Sequence, residues 1–531
     1  MSFARNLFTV SSLTIVSRMS GFVRDTLMAF YLGADVMADA VFIAQRLPNL
    51  FRSLFAEGAF SAAFVPLYAT EQKQKGTEAA QRFAGQALSL LFASLVPFSM
   101  IIMAFMPWVM RVQASGYAPG STPFELAVTY SLITFPYLIL ISVTALQGGV
   151  LNSHGRFGAA AAAPISLNVV IVIALLVGHF MKWDLGLTMS WSFLLSGAVQ
   201  MCWLAYSCFR AHLSVPLMKP KLTGPSRLLF KRIGPGAIGA GAAQINMVLS
   251  VSLATQLPTG GVASLSYADR LNQLPLGIIG IAVGTTLLPL LSRFVDEGEE
   301  DKVRHYMSRA IEFCLMLGLP ATVGFILLAK PIVQTLWEHG AFNHHVTITT
   351  AEALIGYSFN IPAFLLVRVL SSQFFARHDT STPVKVSVIA MITNVVGALL
   401  LLQPFQHMGI TGANSFAIWV NAILLYTIAA KRKYPMIDAK LRKRFLRLLL
   451  CVAVMGVATY LLKQQVIGLF KTGDMMKEIP ALAVLIGASG LIYGIMLQIT
   501  GAMSWKELLG TLKKRGSSKN IAKSDLASPE S

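Results

Sequence analysis

The chain has 531 residues, of which 55% are hydrophobic and only 13% are charged, and its formal net charge is +19. A soluble protein carries about 25% charged residues, so this composition excludes a soluble globular class. Membrane-length apolar runs recur along the whole chain and predict many spanning helices. Short alternating segments, the pattern of an outer-membrane barrel, do not occur.

Fourteen spans are predicted in chain order, so the fold class is an all-α polytopic membrane protein. The first span is not a cleaved signal peptide, because Arg18 and Arg24 interrupt its apolar core and no small-residue cleavage pattern follows. The spans lie near residues 7–32, 36–68, 80–110, 124–151, 157–180, 185–209, 227–257, 262–292, 303–328, 346–376, 380–402, 409–430, 445–463 and 479–502.

The positive charge follows this topology. With a cytoplasmic N-terminus, 31 of the 43 Lys and Arg residues fall in cytoplasmic loops and tails, 6 fall in outer loops and 6 lie within spans. An excess of Lys and Arg in cytoplasmic loops is the bias that orients membrane proteins. We therefore predict cytoplasmic N- and C-termini and no nucleic-acid partner.

The chain also contains a weak internal repeat of six spans. An even number of spans gives both copies the same orientation, which predicts two lobes with a transport path between them. The matching pairs, at offsets of 223 to 226 residues, are Arg46 and Arg270, Pro66 and Pro289, Pro136 and Pro362, and Asn168 and Asn394.

The predicted domains follow from this repeat. Residues 1–215 form the N-lobe, and residues 227–439 form the C-lobe. A hydrophilic, Pro-rich cytoplasmic linker at 216–226 joins them. Residues 440–505 contain the last two spans, which have no counterpart in the repeat, and residues 506–531 form a polar cytoplasmic tail.

Charged residues inside the first spans are the main functional clue. A central Arg costs about 2.5–3.5 kcal/mol on insertion scales, so such residues face a wet cavity, a partner or a substrate. Arginine binds phosphate oxygens bidentately, and the excess of arginines over acids favours an anionic cargo. The charged residues concerned are Arg18, Arg24, Asp39, Arg46, Arg52 and Glu57, with Arg270 and Arg368 further along the chain.

The alternative interpretation is that neighbouring acids neutralise these arginines and that the pairs only fix helix packing. Asp25 lies seven residues after Arg18, and Arg46 lies seven residues after Asp39, so each pair falls near one helical face. Arg18 and Arg24 are six residues apart, about 120° around a helix, so one wall cannot present both squarely.

No cofactor, metal site or catalytic residue is predicted, and the chain is not expected to be an enzyme. It has no P-loop, Gly-x-Ser-x-Gly or His-Glu-x-x-His pattern. The histidines at 339, 344 and 345 lack a fixed ligand spacing and are interpreted as a solvated outer loop. The four cysteines lie in apolar segments and are interpreted as small core residues without disulfides.

Residues 46–66, Arg-Leu-Pro-Asn-Leu-Phe-Arg-Ser-Leu-Phe-Ala-Glu-Gly-Ala-Phe-Ser-Ala-Ala-Phe-Val-Pro, resemble the MurJ (MviN) family of bacterial lipid II flippases. This family belongs to the multidrug/oligosaccharidyl-lipid/polysaccharide exporter superfamily. The resemblance extends to residues 17–25 (Ser-Arg-Met-Ser-Gly-Phe-Val-Arg-Asp), to residues 267–270 (Tyr-Ala-Asp-Arg) and to the segment around Pro289.

The resemblance implies two six-helix lobes and a final helix pair that forms a groove for a polyprenyl tail. It implies substrate-binding roles for Arg18, Arg24, Asp39, Arg52 and Arg270. The expected cargo is lipid II, whose undecaprenyl diphosphate headgroup would cross from the inner to the outer leaflet by alternating access. Peptidoglycan synthesis would use this transport, and the expected protein is a monomer among lipids of the bacterial inner membrane.

Other functions remain open from the sequence. The chain could export another polyprenyl-linked glycan or a drug, although a drug-cation exporter should have acids rather than arginines in its cavity. A membrane scaffold that transports nothing is a third alternative. Some members of the family couple to sodium through acids in the C-lobe, and this chain has no matching acid cluster, so sodium coupling is not predicted.

Overall fold

The fold is described from a computed structural model, which covers residues 3–52, 59–471 and 474–502. Within these ranges the regular structure is helical and contains no β-strand. Glu57 and the predicted tail at 506–531 lie outside the described residues. The helices are α1 (Phe3–Leu32), α2 (Val36–Phe51), α3 (Ala59–Lys75), α4 (Thr77–Ala104), α5 (Met106–Gln113), α6 (Thr122–Thr134), α7 (Tyr137–Ser153), α8 (Phe157–Phe180), α9 (Leu185–Arg210), α10 (Gly224–Ala254), α11 (Gly261–Asp296), α12 (Glu300–Trp337), α13 (His344–Ser358), α14 (Asn360–Ala376), α15 (Ser381–Lys431), α16 (Ala439–Val466) and α17 (Met475–Ile499).

In the described ranges, nine helical segments are long and apolar enough to cross a membrane. One of them, α15, holds two of the predicted spans, because its backbone leaves helical geometry at Gln406 (φ 42°, ψ −117°). The four remaining predicted spans correspond to α1, to α2 with α3, to α10 and to α11. The all-α polytopic fold class is confirmed, and the helix count is consistent with about fourteen spans.

Proline marks the points where single predicted spans divide into two helices. The fourth predicted span divides into α6 and α7 at Pro136, which is the N-cap of α7. The third divides into α4 and α5 at Phe105, just before Pro107, and the tenth divides into α13 and α14 just before Pro362. Proline is favoured in the first turn of a helix, where its missing N–H is not needed, so these three positions are consistent with the breaks. Proline alone does not cause a break, because Pro97 and Pro164 lie inside continuous helices.

The helices form two compact units. Unit 1 comprises Met1–Asp269, Leu336–Ala353 and Met391–Ala413, and unit 2 comprises Arg270–Thr335, Leu354–Ala390 and Asn414–Ser531. In unit 1, α8 packs against α1 and α9, and α2 packs against α6. In unit 2, α11, α12 and α14 share an apolar core that includes the fully buried Leu291, Met307 and Leu365.

An ionic cluster joins α16 to α12 within unit 2. Glu312 pairs with Arg309, and its Oε1 also accepts a hydrogen bond from Nη1 of Arg444 at 2.8 Å. Nη2 of Arg309 donates to both carboxylate oxygens of Asp438, at 2.9 and 2.7 Å. Asp438 caps α16 by accepting the N–H of Leu441 at 2.6 Å. Partial burial raises the pKa of Asp438, but these hydrogen bonds outweigh it and lower that pKa below its usual value.

We expect Glu312→Gln to lower the thermal unfolding midpoint of the purified protein, because two guanidiniums would then share a neutral partner. A hydrogen bond to a charged group contributes about 1.5–3 kcal/mol. The control is Glu78→Gln, which removes an exposed ion pair with Arg82 of the kind that contributes about 0–1 kcal/mol. Equal midpoints for the two variants would contradict a stabilising role of the cluster.

Candidate functional site

Arg24 lies on the face of α1 that packs against α8. Its Nε and Nη2 donate to Oδ1 of Asp25 at 3.0 and 2.6 Å, and its Nη1 donates to Oδ1 of Asn168 at 3.0 Å. A guanidinium has five N–H groups. These three bonds therefore leave one N–H on Nη1 and one on Nη2 without a partner among the described residues. Each of these two groups is a donor that a phosphate oxygen can accept.

Asn168, on α8, fixes the orientation of the Arg24 guanidinium through its side-chain amide. Its side-chain nitrogen donates to the carbonyl oxygen of Ser17 at 3.1 Å and to Oγ of Ser20 at 2.9 Å. Only 5% of Asn168 is exposed. Because the nitrogen is held by two partners on α1, the amide oxygen is directed at Arg24. Gly21 lies in contact with the same amide group.

Arg18 lies on a different side of α1. It is exposed, as are the neighbouring Ile15 (59%) and Met19 (66%). Arg24, in contrast, is mostly buried, with 14% of its side chain exposed. The structure therefore agrees with the 120° separation expected from the sequence, and it does not place Arg18 beside Asn168.

Arg46 and Arg52 both belong to α2. Nη2 of Arg46 donates to Oγ of Ser266, on α11, at 3.3 Å. Arg52 follows the last residue of α2, and its Nε donates to Oδ1 of Asn49 at 3.2 Å. A cation is favoured at this end of a helix, where the unpaired carbonyls carry partial negative charge. Arg52 is half-buried.

Asp39 is buried and joins α2 to the start of α11. Its Oδ1 accepts the N–H of Ala263 at 2.7 Å, and its Oδ2 accepts the N–H of Gly260 at 2.8 Å. The hydroxyl of Tyr117 donates to Oδ2 at 3.3 Å. The first N–H groups of a helix have no partner within it, and an anion there is stabilised by the helix dipole. Asp39 therefore acts as a cap for a helix more than 220 residues away in the chain.

Further contacts join the same end of unit 1. The N–H of Ala341 donates to the carbonyl of Phe30 at 2.8 Å, and the hydroxyl of Tyr267 donates to the carbonyl of Gly33 at 3.1 Å. Gly33 and Gly340 both have positive φ, and a Cβ on either would lie about 2.5 Å or less from a carbonyl oxygen of the facing turn. Glycine is needed at both positions. We call these contacts, together with the three hydrogen bonds of Asp39, the turn cluster.

Arg270 and Arg368 belong to unit 2. Both are exposed, Arg270 on α11 and Arg368 on α14. The Arg368 guanidinium lies 5.6 Å from the ring of Phe364, and its Nη1 is 3.5 Å from where a Cβ on Gly284 would lie. Glycines at 280 and 284 thus leave room for Arg368 beside α11. The spacing of four residues between these glycines is visible in the sequence. It does not by itself indicate a role for Arg368.

A cavity of about 830 Å³ lies in unit 2 beside the first turns of α16. Its lining is mainly apolar and comes from α12, α14, α15 and α16, with Leu315, Leu370 and Phe445 among the contributors. Arg442 also lines the cavity. It is exposed, and its side chain has no partner among the described residues. The chemistry fits an apolar chain that ends in an anionic group.

The final two helices expose apolar stripes. On α16 the exposed residues include Leu450, Val457 and Leu461, and on α17 they include Val484, Leu491 and Ile495. Each set has the spacing i, i+7, i+11, which places its members on one side of a helix. Each helix therefore presents one exposed apolar face.

In the part of the chain that the structure describes, no group of three or more His, Cys, Asp or Glu residues could hold a metal ion. The sequence predicts an outer loop that contains His339, His344 and His345. Nδ1 of His344 lies 2.8 Å from Oε1 of Glu338.

Comparison with known proteins identifies the family. The family described as "Lipid II flippase MurJ" matches residues 28–480. A "Probable lipid II flippase MurJ" of Rhizobium tropici is 37% identical over 520 residues, covering 97% of this chain and 97% of the relative. A "Probable lipid II flippase MurJ" of Rhizobium meliloti (strain 1021) is 38% identical over 464 residues, covering 87% of this chain and 86% of the relative.

A solved structure has the same fold. The structure described as "Lipid II flippase MurJ, inward closed conformation" has a TM-score of 0.77 and 24% sequence identity, covering 94% of this chain and 99% of the other. The family match spans most of the chain, and the relatives align over nearly their full lengths. The chain is thus a multi-pass membrane protein and a member of the lipid II flippase MurJ family.

Proposed function

We propose that the protein is a lipid II flippase of the bacterial inner membrane. It moves the undecaprenyl diphosphate-linked peptidoglycan precursor from the inner to the outer leaflet by alternating access. The observation that carries this proposal is the family match over residues 28–480. The two N–H groups of Arg24 that have no partner among the described residues are suitable donors to a phosphate and support it independently.

Arg18, Arg24, Arg52 and Arg270 each take part in recognising the diphosphate during transport. Arg18 and Arg270 have exposed side chains, Arg52 is partly exposed, and Arg24 keeps two donors available. A cation that contacts the cargo explains why these arginines lie in membrane-length helices despite the cost of inserting them. Arg24 is partly neutralised by Asp25, so it contributes directed hydrogen bonds more than net charge.

Asp39 acts in the conformational step rather than in cargo binding. Both of its oxygens are engaged by backbone N–H groups at the start of α11, and the side chain is 2% exposed. Alternating access requires contacts that form in one end state and break in the other. We infer that the turn cluster stabilises one end state and that Asp39 is its ionic member.

The polyprenyl tail stays in lipid along α16 and α17. The exposed apolar stripes of both helices and the apolar cavity beside α16 support this placement. The ionic cluster of Glu312 fixes α16 against α12, so this surface keeps its position relative to the core of unit 2. Residues 1–215 and 227–439 act as the two moving lobes.

Transport needs no covalent step, so the proposed function requires no catalytic residue, cofactor or metal. We propose that the protein acts as a monomer. Both termini lie in the cytoplasm in this proposal. The headgroup moves outward across a membrane whose potential is negative inside. Moving one elementary charge through 100 mV contributes about 2.3 kcal/mol, so two phosphate charges contribute about 4.6 kcal/mol. The membrane potential is therefore sufficient to bias transport.

The direct test is depletion of the protein in its host, followed by measurement of each lipid-linked precursor in the inner leaflet. Lipid II should accumulate there. Accumulation of another polyprenyl-linked glycan, with lipid II unchanged, would favour the alternative exporter function. An unchanged pool of every precursor would contradict the transport proposal.

Arg52→Lys and Arg270→Lys should each reduce growth complementation at matched protein levels. Lysine keeps the charge but loses the planar fork that binds a phosphate through two hydrogen bonds. Arg304→Lys is the control, because Arg304 forms only an exposed i, i+3 pair with Asp301. Full complementation by both variants would leave these arginines only a diffuse electrostatic role.

A further inference from the structure

The internal repeat appears in the structure as two matching hydrogen-bond sets in unit 1. In the first set, Asn168 contacts Ser20 and Arg24, at separations of 148 and 144 residues. In the second set, Asn394 donates to Asn246 and Ser250, at the same separations of 148 and 144 residues. Each residue of the second set lies 226 positions after its counterpart in the first.

The two sets differ at one position that matters chemically. Arg24 of the first set corresponds to Ser250 of the second. The amide oxygen that receives the guanidinium at Asn168 is, at Asn394, buried without a hydrogen-bond partner among the described residues. Both asparagines are almost fully buried, at 5% and 3% exposure. The same asparagine scaffold therefore occurs twice, and only one copy directs a cation.

We propose that Asn168 is a positioning residue for diphosphate recognition. It acts through Arg24, and it determines which edge of the guanidinium is free to meet the cargo. This inference rests on the proposed lipid II function. The pair of bonds to Ser17 and Ser20 fixes the amide, and the amide oxygen then occupies one N–H of Nη1.

The second partner of Arg24 explains why a neutral residue suits position 168. Asp25 already provides a full negative charge at 2.6 Å. A second carboxylate would give the three side chains a net negative charge, which repels an anion. An amide instead orients the guanidinium and leaves its charge balance unchanged, so Asn168 contributes geometry without competing with the phosphate.

The test measures lipid II binding to the full-length protein in nanodiscs, with undecaprenyl monophosphate as the ligand that lacks the diphosphate. Asn168→Ala should bind lipid II about tenfold more weakly, because a charged hydrogen bond that orients Arg24 is lost. Monophosphate binding should change less. Asn394→Ala is the matched control, because it removes the equivalent contacts where no cation is present, and its lipid II affinity should stay within about threefold.

Two further variants separate positioning from packing. Asn168→Asp keeps the side-chain size but places a second carboxylate beside Arg24, and it should weaken lipid II binding at least as much as Asn168→Ala. The double variant Asn168→Ala with Arg24→Lys should bind about as weakly as Arg24→Lys alone, because both changes act through one guanidinium.

The outcomes distinguish this inference from the proposed function. Failure of the wild-type protein to bind lipid II would overturn the proposed function, and this inference with it. Binding by the wild type together with unchanged affinity in either Asn168 variant would overturn the positioning role alone. An equal loss in Asn394→Ala, or an additive loss in the double variant, would also overturn it, since packing would then explain the effect.

Discussion

Asp39→Asn is expected to reduce lipid II transport at least tenfold while lipid II binding falls by no more than about threefold. An asparagine at this position keeps one acceptor oxygen but presents an NH₂ group to a backbone N–H at the start of α11. A buried donor left without an acceptor costs about 1–3 kcal/mol, and each 1.4 kcal/mol is a factor of ten in an equilibrium. This free-energy cost destabilises the conformation of the transport cycle in which the turn cluster is formed.

Transport should be measured in proteoliposomes and binding should be measured on the same purified variant. Asp35→Asn is the matched control. Asp35 caps α2 by accepting the N–H of Ala38 at 2.8 Å, so the control weakens a cap within one helix and leaves the junction with α11 intact. Complete loss of binding in Asp39→Asn would instead indicate direct contact with the headgroup, and normal transport would reduce Asp39 to a packing residue.

The sequence predicted the fold class because hydrophobic length is a local property. The breaks inside single spans are also local, since Pro107, Pro136 and Pro362 lie next to them. The sequence also predicted functional charged residues in the spans of α1, α2 and α11. The presence of a charged residue inside an apolar span is likewise a local feature that the sequence shows directly.

The partners of the charged residues could not be predicted, because helical periodicity identifies neighbours only on the same helix. It suggested Arg46 as a counter-ion for Asp39. The structure shows Asp39 bonded to Gly260 and Ala263, more than 220 residues away. The sequence likewise noted that Asn168 and Asn394 repeat, but only tertiary contacts reveal that one asparagine meets Arg24 and the other meets Ser250.

The role of each arginine toward the cargo stays a prediction, and Arg24 provides the sharpest test. Among the described residues, Arg24 makes three side-chain hydrogen bonds, through Nε, Nη1 and Nη2. Its three bonds to Asp25 and Asn168 fix the guanidinium plane, so the direction of the two remaining donors is also fixed.

Arg24→Lys is therefore expected to abolish growth complementation and to weaken lipid II binding by about ten- to a hundredfold. A lysine ammonium concentrates three donors on one nitrogen and cannot reach Asp25, Asn168 and a diphosphate in the same geometry. The loss of one charged hydrogen bond, at about 1.5–3 kcal/mol, accounts for that range. Arg82→Lys is the control, because Arg82 forms only an exposed pair with Glu78.

Expression and thermal unfolding of Arg24→Lys should match the wild type, because the lysine still pairs with Asp25. That combination of normal folding with lost binding is what separates a cargo contact from a packing ion pair. If the variant instead unfolds early and the surviving protein binds lipid II normally, the pair with Asp25 serves helix packing. The diphosphate would then have to be held by Arg18, Arg52 and Arg270 without Arg24.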